Sequence, residues 1–191
     1  MDKRGDHGSG AQQPTPVARE GERGLILMRT FNAAPTKVYQ AWSQPALFRR
    51  WWMPQSASGV SLVSCDMDVR TGGRYRLQFS VGGPDTMAFH GQYLDVVPDE
   101  RIVWTNDEGE EGAVTTVTFE GGGEKTLLTF REVYPSADAR EEALQGSASA
   151  LPEQLDQLAQ LLCATGGVAP AGEPTGSHSL PFTCRPVPPP N

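Results

Sequence analysis

The stretch Asp66-Met67-Asp68-Val69-Arg70-Thr71-Gly72-Gly73-Arg74-Tyr75-Arg76-Leu77-Gln78-Phe79 decides the architecture. Thr71-Gly72-Gly73 is a turn signal. After it, residues 74–79 alternate polar and apolar without a break, the pattern of a strand with one wet face and one dry face. Before it, Val60, Leu62, Ser64 and Asp66 alternate with Ser61, Val63 and Cys65, also at period two. Two such runs joined by a short turn make an antiparallel pair, and the pattern continues downstream. Gly82-Gly83-Pro84-Asp85 turns the chain, residues 87–97 form a longer strand closed by Pro98-Asp99, and residues 101–105 follow. The acidic turn from Asn106 to Gly112 leads into a Thr- and Val-rich strand over 113–119, and Gly121-Gly122-Gly123 joins it to a last strand over 126–133.

Upstream of this meander, residues 25–31 read as a first strand. Pro35 suits the first turn of a helix, and Val38, Tyr39, Ala41 and Trp42 give that helix an apolar face. Pro45 restarts the chain into a second short helix with Leu47, Phe48, Trp51 and Trp52, which Met53-Pro54 ends. Downstream, Asp138 with Glu141 has the spacing of a capping box. Leu144, Ala148, Leu151, Leu155, Leu158 and Leu162 form one apolar stripe of a long helix, with a kink or break expected at Pro152. The order is one strand, two short helices, about six strands and a long helix. This predicts an α+β fold in which one sheet buries its apolar face against that helix.

Composition sets the limits. Residues 1–24 carry five Gly, two Pro and cancelling charges, and residues 166–191 carry seven of the 16 Pro. Both are expected to be flexible tails, the second Pro/Gly-rich and disordered, because neither holds enough apolar surface to offset its ordering entropy. The net charge of −7 therefore falls on residues 25–165, where 18 acids face 11 bases. An acidic domain of this kind offers neither a nucleic-acid groove nor a dock for anionic membranes. No apolar run approaches the roughly 18–20 residues of a membrane span, and none fits a signal peptide. Three scattered Cys and three scattered His imply neither disulfides nor a metal site, and a cytoplasmic location is expected.

The motifs resemble one family. Phe31-Asn32-Ala33-Ala34-Pro35 with Val38-Tyr39-Gln40-Ala41-Trp42 is similar to the first strand and helix of the START-like (SRPBCC, Bet v 1-like) superfamily. Leu47 to Trp52 resembles its F-x-x-W-W helix, and Asp66 to Tyr75 its D-x-R-x-G-G strand–turn–strand. His90-Gly91-Gln92-Tyr93 and Pro98 to Trp104 resemble the next hairpin, and Tyr134-Pro135-Ser136 with Arg140 a bacterial branch. Over roughly residues 25–163 the chain resembles the activator of Hsp90 ATPase homologue 1-like (AHSA1-like) group. The resemblance implies a helix-grip fold: a curved antiparallel sheet of about six to seven strands wrapped round a long C-terminal helix, with two short helices after strand 1.

A sheet gripping a helix leaves a space suited to small apolar molecules. Its expected lining is Trp42, Trp51, Trp52, Tyr75, Leu77, Phe79, Phe89, Tyr93, Trp104, Phe119 and Phe130, set against the plainer reading that such side chains simply fill a core. His90 and Tyr93 are the candidate acid/base residues. Arg70, Arg74 and Arg76 are a candidate carboxylate clamp, although Arg74 and Arg76 alternate with Tyr75 and Leu77 and belong on the wet face. Asp66 and Asp68 are a candidate carboxylate pair, or partners of nearby arginines. No nucleophile elbow, zinc-protease or P-loop pattern occurs, and no cofactor is implied. Three readings follow: a module that binds a small apolar or aromatic ligand, which leads; an Hsp90 co-chaperone-like ATPase activator; and a polyketide cyclase or aromatase-type enzyme. Monomer and homodimer both remain open.

Overall fold

The computed structural model describes residues 16–82, 86–107 and 112–166. Eight strands form one antiparallel sheet in the order β1-β2-β8-β7-β6-β5-β4-β3. They are β1 (Ala18–Glu20), β2 (Gly24–Phe31), β3 (Ser61–Met67), β4 (Arg74–Ser80), β5 (Thr86–Val97), β6 (Arg101–Thr105), β7 (Val114–Gly122) and β8 (Lys125–Val133). Two short helices, α1 (Pro35–Ser43) and α2 (Pro45–Phe48), follow β2. After β8 come α3 (Ala137–Gln145), a 3-10 turn (Ser147–Ala150) and α4 (Leu151–Gly166). This is the expected α+β helix-grip fold.

Strand parity places the core. Leu25, Leu27 and Phe31 on β2, Tyr75, Leu77 and Phe79 on β4, Val117 and Phe119 on β7, and Leu128 and Phe130 on β8 are all buried. They meet Leu151, Leu155, Leu158 and Leu162 of α4. Gly73 follows from close approach: a Cβ there would stand 1.9 Å from the Asp68 carbonyl oxygen. The turn is tied to β5, since the Gly72 N–H donates to the Tyr93 carbonyl at 2.8 Å and the Tyr93 N–H to that of Gly73 at 2.9 Å.

Four expectations change. The strand count rises to eight because β1 lies inside the segment 1–24 read as a tail. Its order comes from ion pairs and main-chain bonds rather than apolar mass. Arg19 pairs with Glu141 at 2.7 Å and Glu20 with Arg131 at 3.2 Å, while the Tyr134 N–H donates to the Arg23 carbonyl. Residues 1–15 and the expected C-terminal tail from 167 onward lie outside the described residues. In β3 a bulge between Leu62 and Ser64 shifts the parity, so Cys65 is buried while Val63 is exposed. Residues 49–53 leave the second helix for turns.

The C-terminal helix divides at Gly146 rather than at Pro152. Pro152 sits in the first turn of α4, where its missing N–H costs nothing. The cap of α3 is Ser136, whose Oγ accepts from the Ala139 N–H at 3.1 Å; Asp138 instead lies in the first turn.

Two kinds of contact hold α4 in the sheet. Arg29, buried on β2, pairs with Asp156 at 2.6 Å. On the other side α4 grips the irregular segment 51–56. Gln157 donates to the carbonyls of Trp51 and Met53, each at 2.6 Å, and accepts from the Gln55 N–H at 2.9 Å. Gln154 donates to the Trp52 carbonyl, and Glu153 accepts from the N–H and hydroxyl of Ser56. These bonds give Glu153 a lowered pKa. Replacing Gln157 by Leu leaves two carbonyls and one N–H without their partner, so unfolding in urea should show a loss of about 2–4 kcal/mol. An unchanged midpoint would mean that the Gln157 bonds do not hold the segment, leaving that to ring packing and to Gln154 and Glu153.

Candidate functional site

The sheet, the segment 51–60 and the face made by α3 and the start of α4 enclose a cavity of about 830 Å³. That volume lies within the usual range for sites that hold one small organic molecule. Most of the wall is aromatic or aliphatic. Of the expected lining, Trp42, Trp52, Tyr75, Leu77, Phe79, Phe89, Tyr93, Trp104 and Phe130 all face the cavity. Trp51 and Phe119 do not. The Trp51 indole is wholly buried and donates to the Ala41 carbonyl at 3.0 Å, tying the loop to α1. Phe119 packs edge-on against Tyr39 at 5.7 Å. Both serve the core, as the plainer reading has it.

Gly91 gives Tyr75 its place. A Cβ on Gly91 would lie 1.8 Å from the Thr105 carbonyl oxygen and 2.8 Å from the Tyr75 ring, so only glycine lets the ring lie across β5. The Tyr75 hydroxyl then reaches β6, donating to the carbonyl of Thr105 at 3.1 Å and lying 2.5 Å from Oδ1 of Asn106.

The proposed catalytic and charged residues separate. His90 is exposed on the outer face of β5, in register with Arg76, which is itself opposite Asp66. It lies outside the cavity. Arg74 and Arg76 share that outer face, so they form no clamp inside. Asp68 leaves the strand and pairs with Arg70 at 2.8 Å, while Asp66 lies opposite Arg76; both acids line a depression on the outer face together with Arg74, Arg76 and His90, away from the cavity. Tyr93 faces the cavity and is 4% exposed. Burial pushes its phenol up, with smaller contributions from Cys65, Asp68 and Tyr39, so it stays protonated. Cys65 is a buried free thiol whose pKa burial raises. Among the described residues, no group of three or more His, Cys, Asp or Glu could hold a metal ion, and no helix is long and apolar enough to cross a membrane.

The polar end of the cavity was not anticipated. Glu132 projects inward from β8. Its Oε1 accepts from the Thr115 hydroxyl at 2.9 Å and from Nδ2 of Asn106 at 3.0 Å, and its Oε2 accepts from the Tyr134 hydroxyl at 2.6 Å. With Tyr75 on Asn106, five residues from β4, β6, β7 and β8 and the segments after them form one network. Burial pushes the Glu132 carboxyl above its ordinary value, and the three donated bonds only partly offset that. The same carboxylate and burial push the Tyr134 phenol up. The signal was present in the sequence: Thr126, Leu128, Phe130 and Glu132 share one parity, so the dry face of β8 ends in an acid.

A carboxyl with a raised folded pKa contributes stability that is present below its unfolded value and lost as pH rises through the folded one. Carbon-13 NMR should therefore place the Glu132 midpoint above the reference of 4.5. Glu132→Gln should remove the part of the stability loss that begins on raising the pH past that value. A midpoint at or below 4.5 would contradict the burial argument. Glu141 supplies the opposite sign. Its hydrogen bond to Arg19, aided by Arg140, lowers it to about 2 despite some desolvation, so its contribution is lost as pH falls from 4.5 through that value.

Solved structures share this fold. A protein from Rhodobacter sphaeroides superposes with a TM-score of 0.69 at 20% identity, covering 78% of this chain and 97% of that one. A protein from Chromobacterium violaceum gives a TM-score of 0.59 at 28% identity, over 73% and 96% of the two chains. An AHSA1-like protein from Aeromonas hydrophila gives 0.57 at 19%, over 74% and 94%. No curated protein matches the chain. The family described as "Activator of Hsp90 ATPase homolog 1-like protein" matches residues 32–163, which run from the end of β2 into α4 and include every residue that lines the cavity. Fold and family match agree, and the chain belongs to the activator of Hsp90 ATPase homologue 1-like family.

Proposed function

We propose that this protein binds one small, predominantly apolar or aromatic molecule in the cavity between the sheet and the C-terminal helices. The observation that carries the reading is the space itself: about 830 Å³ walled by four strands' worth of rings and by Trp42 and Trp52, with a single polar network at one end. Apolar area on a ligand gains roughly 25 cal/mol per Å² removed from water, so such a wall favours occupancy. The polar end fixes orientation.

A contact with Hsp90 is the activity named in the family's description, and it would use the surface rather than this space. A cyclase-type reaction would need acid/base groups within the cavity. Of the two expected, Tyr93 is there and His90 is not; Glu132 and Tyr134 are there too, but they are engaged with each other through the hydroxyl that Tyr134 donates. The binding reading uses the features that the fold places together.

The test uses a neutral dye, Nile red, and a variant that fills the space. Wild-type protein should enhance its emission and show a higher melting temperature in its presence, since a ligand of the folded state stabilises that state. Ala143→Trp places an indole into the cavity from α3 and should weaken dye binding by at least about tenfold with an unchanged circular dichroism spectrum. Equal dye binding by the two proteins would place the dye elsewhere and remove the support for this reading.

A further inference from the structure

We infer that the ligand of this cavity is a lipophilic amine: an apolar body carrying a protonated nitrogen that meets the Glu132 carboxylate. The inference rests on the binding reading above and names the chemical class.

The lining has a one-sided charge. Among the described residues, its charged members are Glu132 and Glu142, with no Lys, Arg or His. Glu132 is held from all sides by neutral donors, the hydroxyls of Thr115 and Tyr134 and the amide of Asn106. These orient the carboxylate without neutralising it. A carboxylate has about four lone-pair positions. Oε1 takes two donors and Oε2 one, so Oε2 retains capacity for another N–H. A carboxylate desolvated without a cation is costly, and a bound ammonium offsets that cost. Trp104, Phe130 and Tyr93 line the same cavity, and an aromatic face presented to a bound cation adds attraction through its ring quadrupole. A fatty acid or other anion would meet Glu132 inside and Glu142, exposed on α3, at the edge. A neutral molecule would gain only the apolar wall.

The groups that face this position also set the pH dependence. They are Glu132, Glu142, Tyr75, Tyr93 and Tyr134, and burial keeps the Tyr93 and Tyr134 phenols protonated through the neutral range. Amine affinity should therefore rise as pH rises through the Glu132 titration, and fall once the amine itself deprotonates.

Three probes with one ring system separate the possibilities: 1-naphthylmethylamine, 1-naphthylmethanol and 1-naphthoate, titrated calorimetrically into the full chain. At neutral pH the amine should bind at least about tenfold tighter than the alcohol, and the acid weakest. Glu132→Gln should bring the ratio of amine to alcohol affinity close to one. Should that variant fold poorly, the wild-type pH profile of amine binding gives the same answer. Alcohol binding as tight as amine binding, or acid binding tightest, overturns the amine assignment and leaves the cavity reading standing. Binding of none of the three while Nile red still binds also overturns it. Failure of all four ligands marks the failure of the cavity reading itself.

Discussion

The hydrogen bonds between α4 and the main chain of residues 51–56 are the constraint on which the rest of this structure depends. That segment has no regular structure, yet it lies against a helix, where an unpaired carbonyl or N–H is expensive. Gln154, Gln157 and Glu153 meet that demand from one helical face. The segment is thereby fixed as a wall. Trp52, Met53 and Pro54 face the cavity, while Trp51 turns into the core between Trp42 and Phe48. With Arg29 and Asp156 anchoring the opposite side, α4 is held across the sheet without falling into it. A space remains because its frame is hydrogen-bonded rather than merely packed.

The polar network at the far end completes that frame. Glu132, Thr115, Asn106 and Tyr75 bond across four strands, and Tyr134 closes the group just where the chain leaves β8 for α3. Each hydroxyl or amide is directed at another network member. The arrangement places a desolvated acid at a fixed point in a predominantly apolar cavity. Its raised pKa is the electrostatic measure of that burial. Apolar walls with one oriented polar group suit the small-molecule binding proposed above.

Much of this was legible in the sequence, and the exceptions have physical reasons. Period-two alternation placed β4 to β8 almost residue by residue, because each strand has one dry face. Alternation on the strands, helical spacing at Trp42 and the family resemblance together named eleven residues, nine of which line the cavity. Period did not separate Trp51 and Phe119 from them, since it gives the face of an element and not what covers that face. The strand β1 was hidden because its three residues are all exposed and carry no apolar face, and the β3 bulge at Leu62 to Ser64 because an extra residue on one strand leaves no mark on that strand's own alternation. The grip of Gln157 on residues 51–55 was equally hidden: a side-chain bond to remote backbone has no period. Glu132 was different. Its parity is readable, but an acid that ends an apolar row reads equally as the solvated end of a strand until Thr115, Asn106 and Tyr134 are seen to surround it.

Native mass spectrometry of the protein after incubation with a small-molecule extract of its source cells tests the central claim most directly. The account predicts one bound molecule per chain, of roughly a few hundred daltons to suit the cavity, released when the same sample is sprayed under denaturing conditions. A bare chain mass in both conditions would contradict it and leave the aromatic chamber as a structural feature alone.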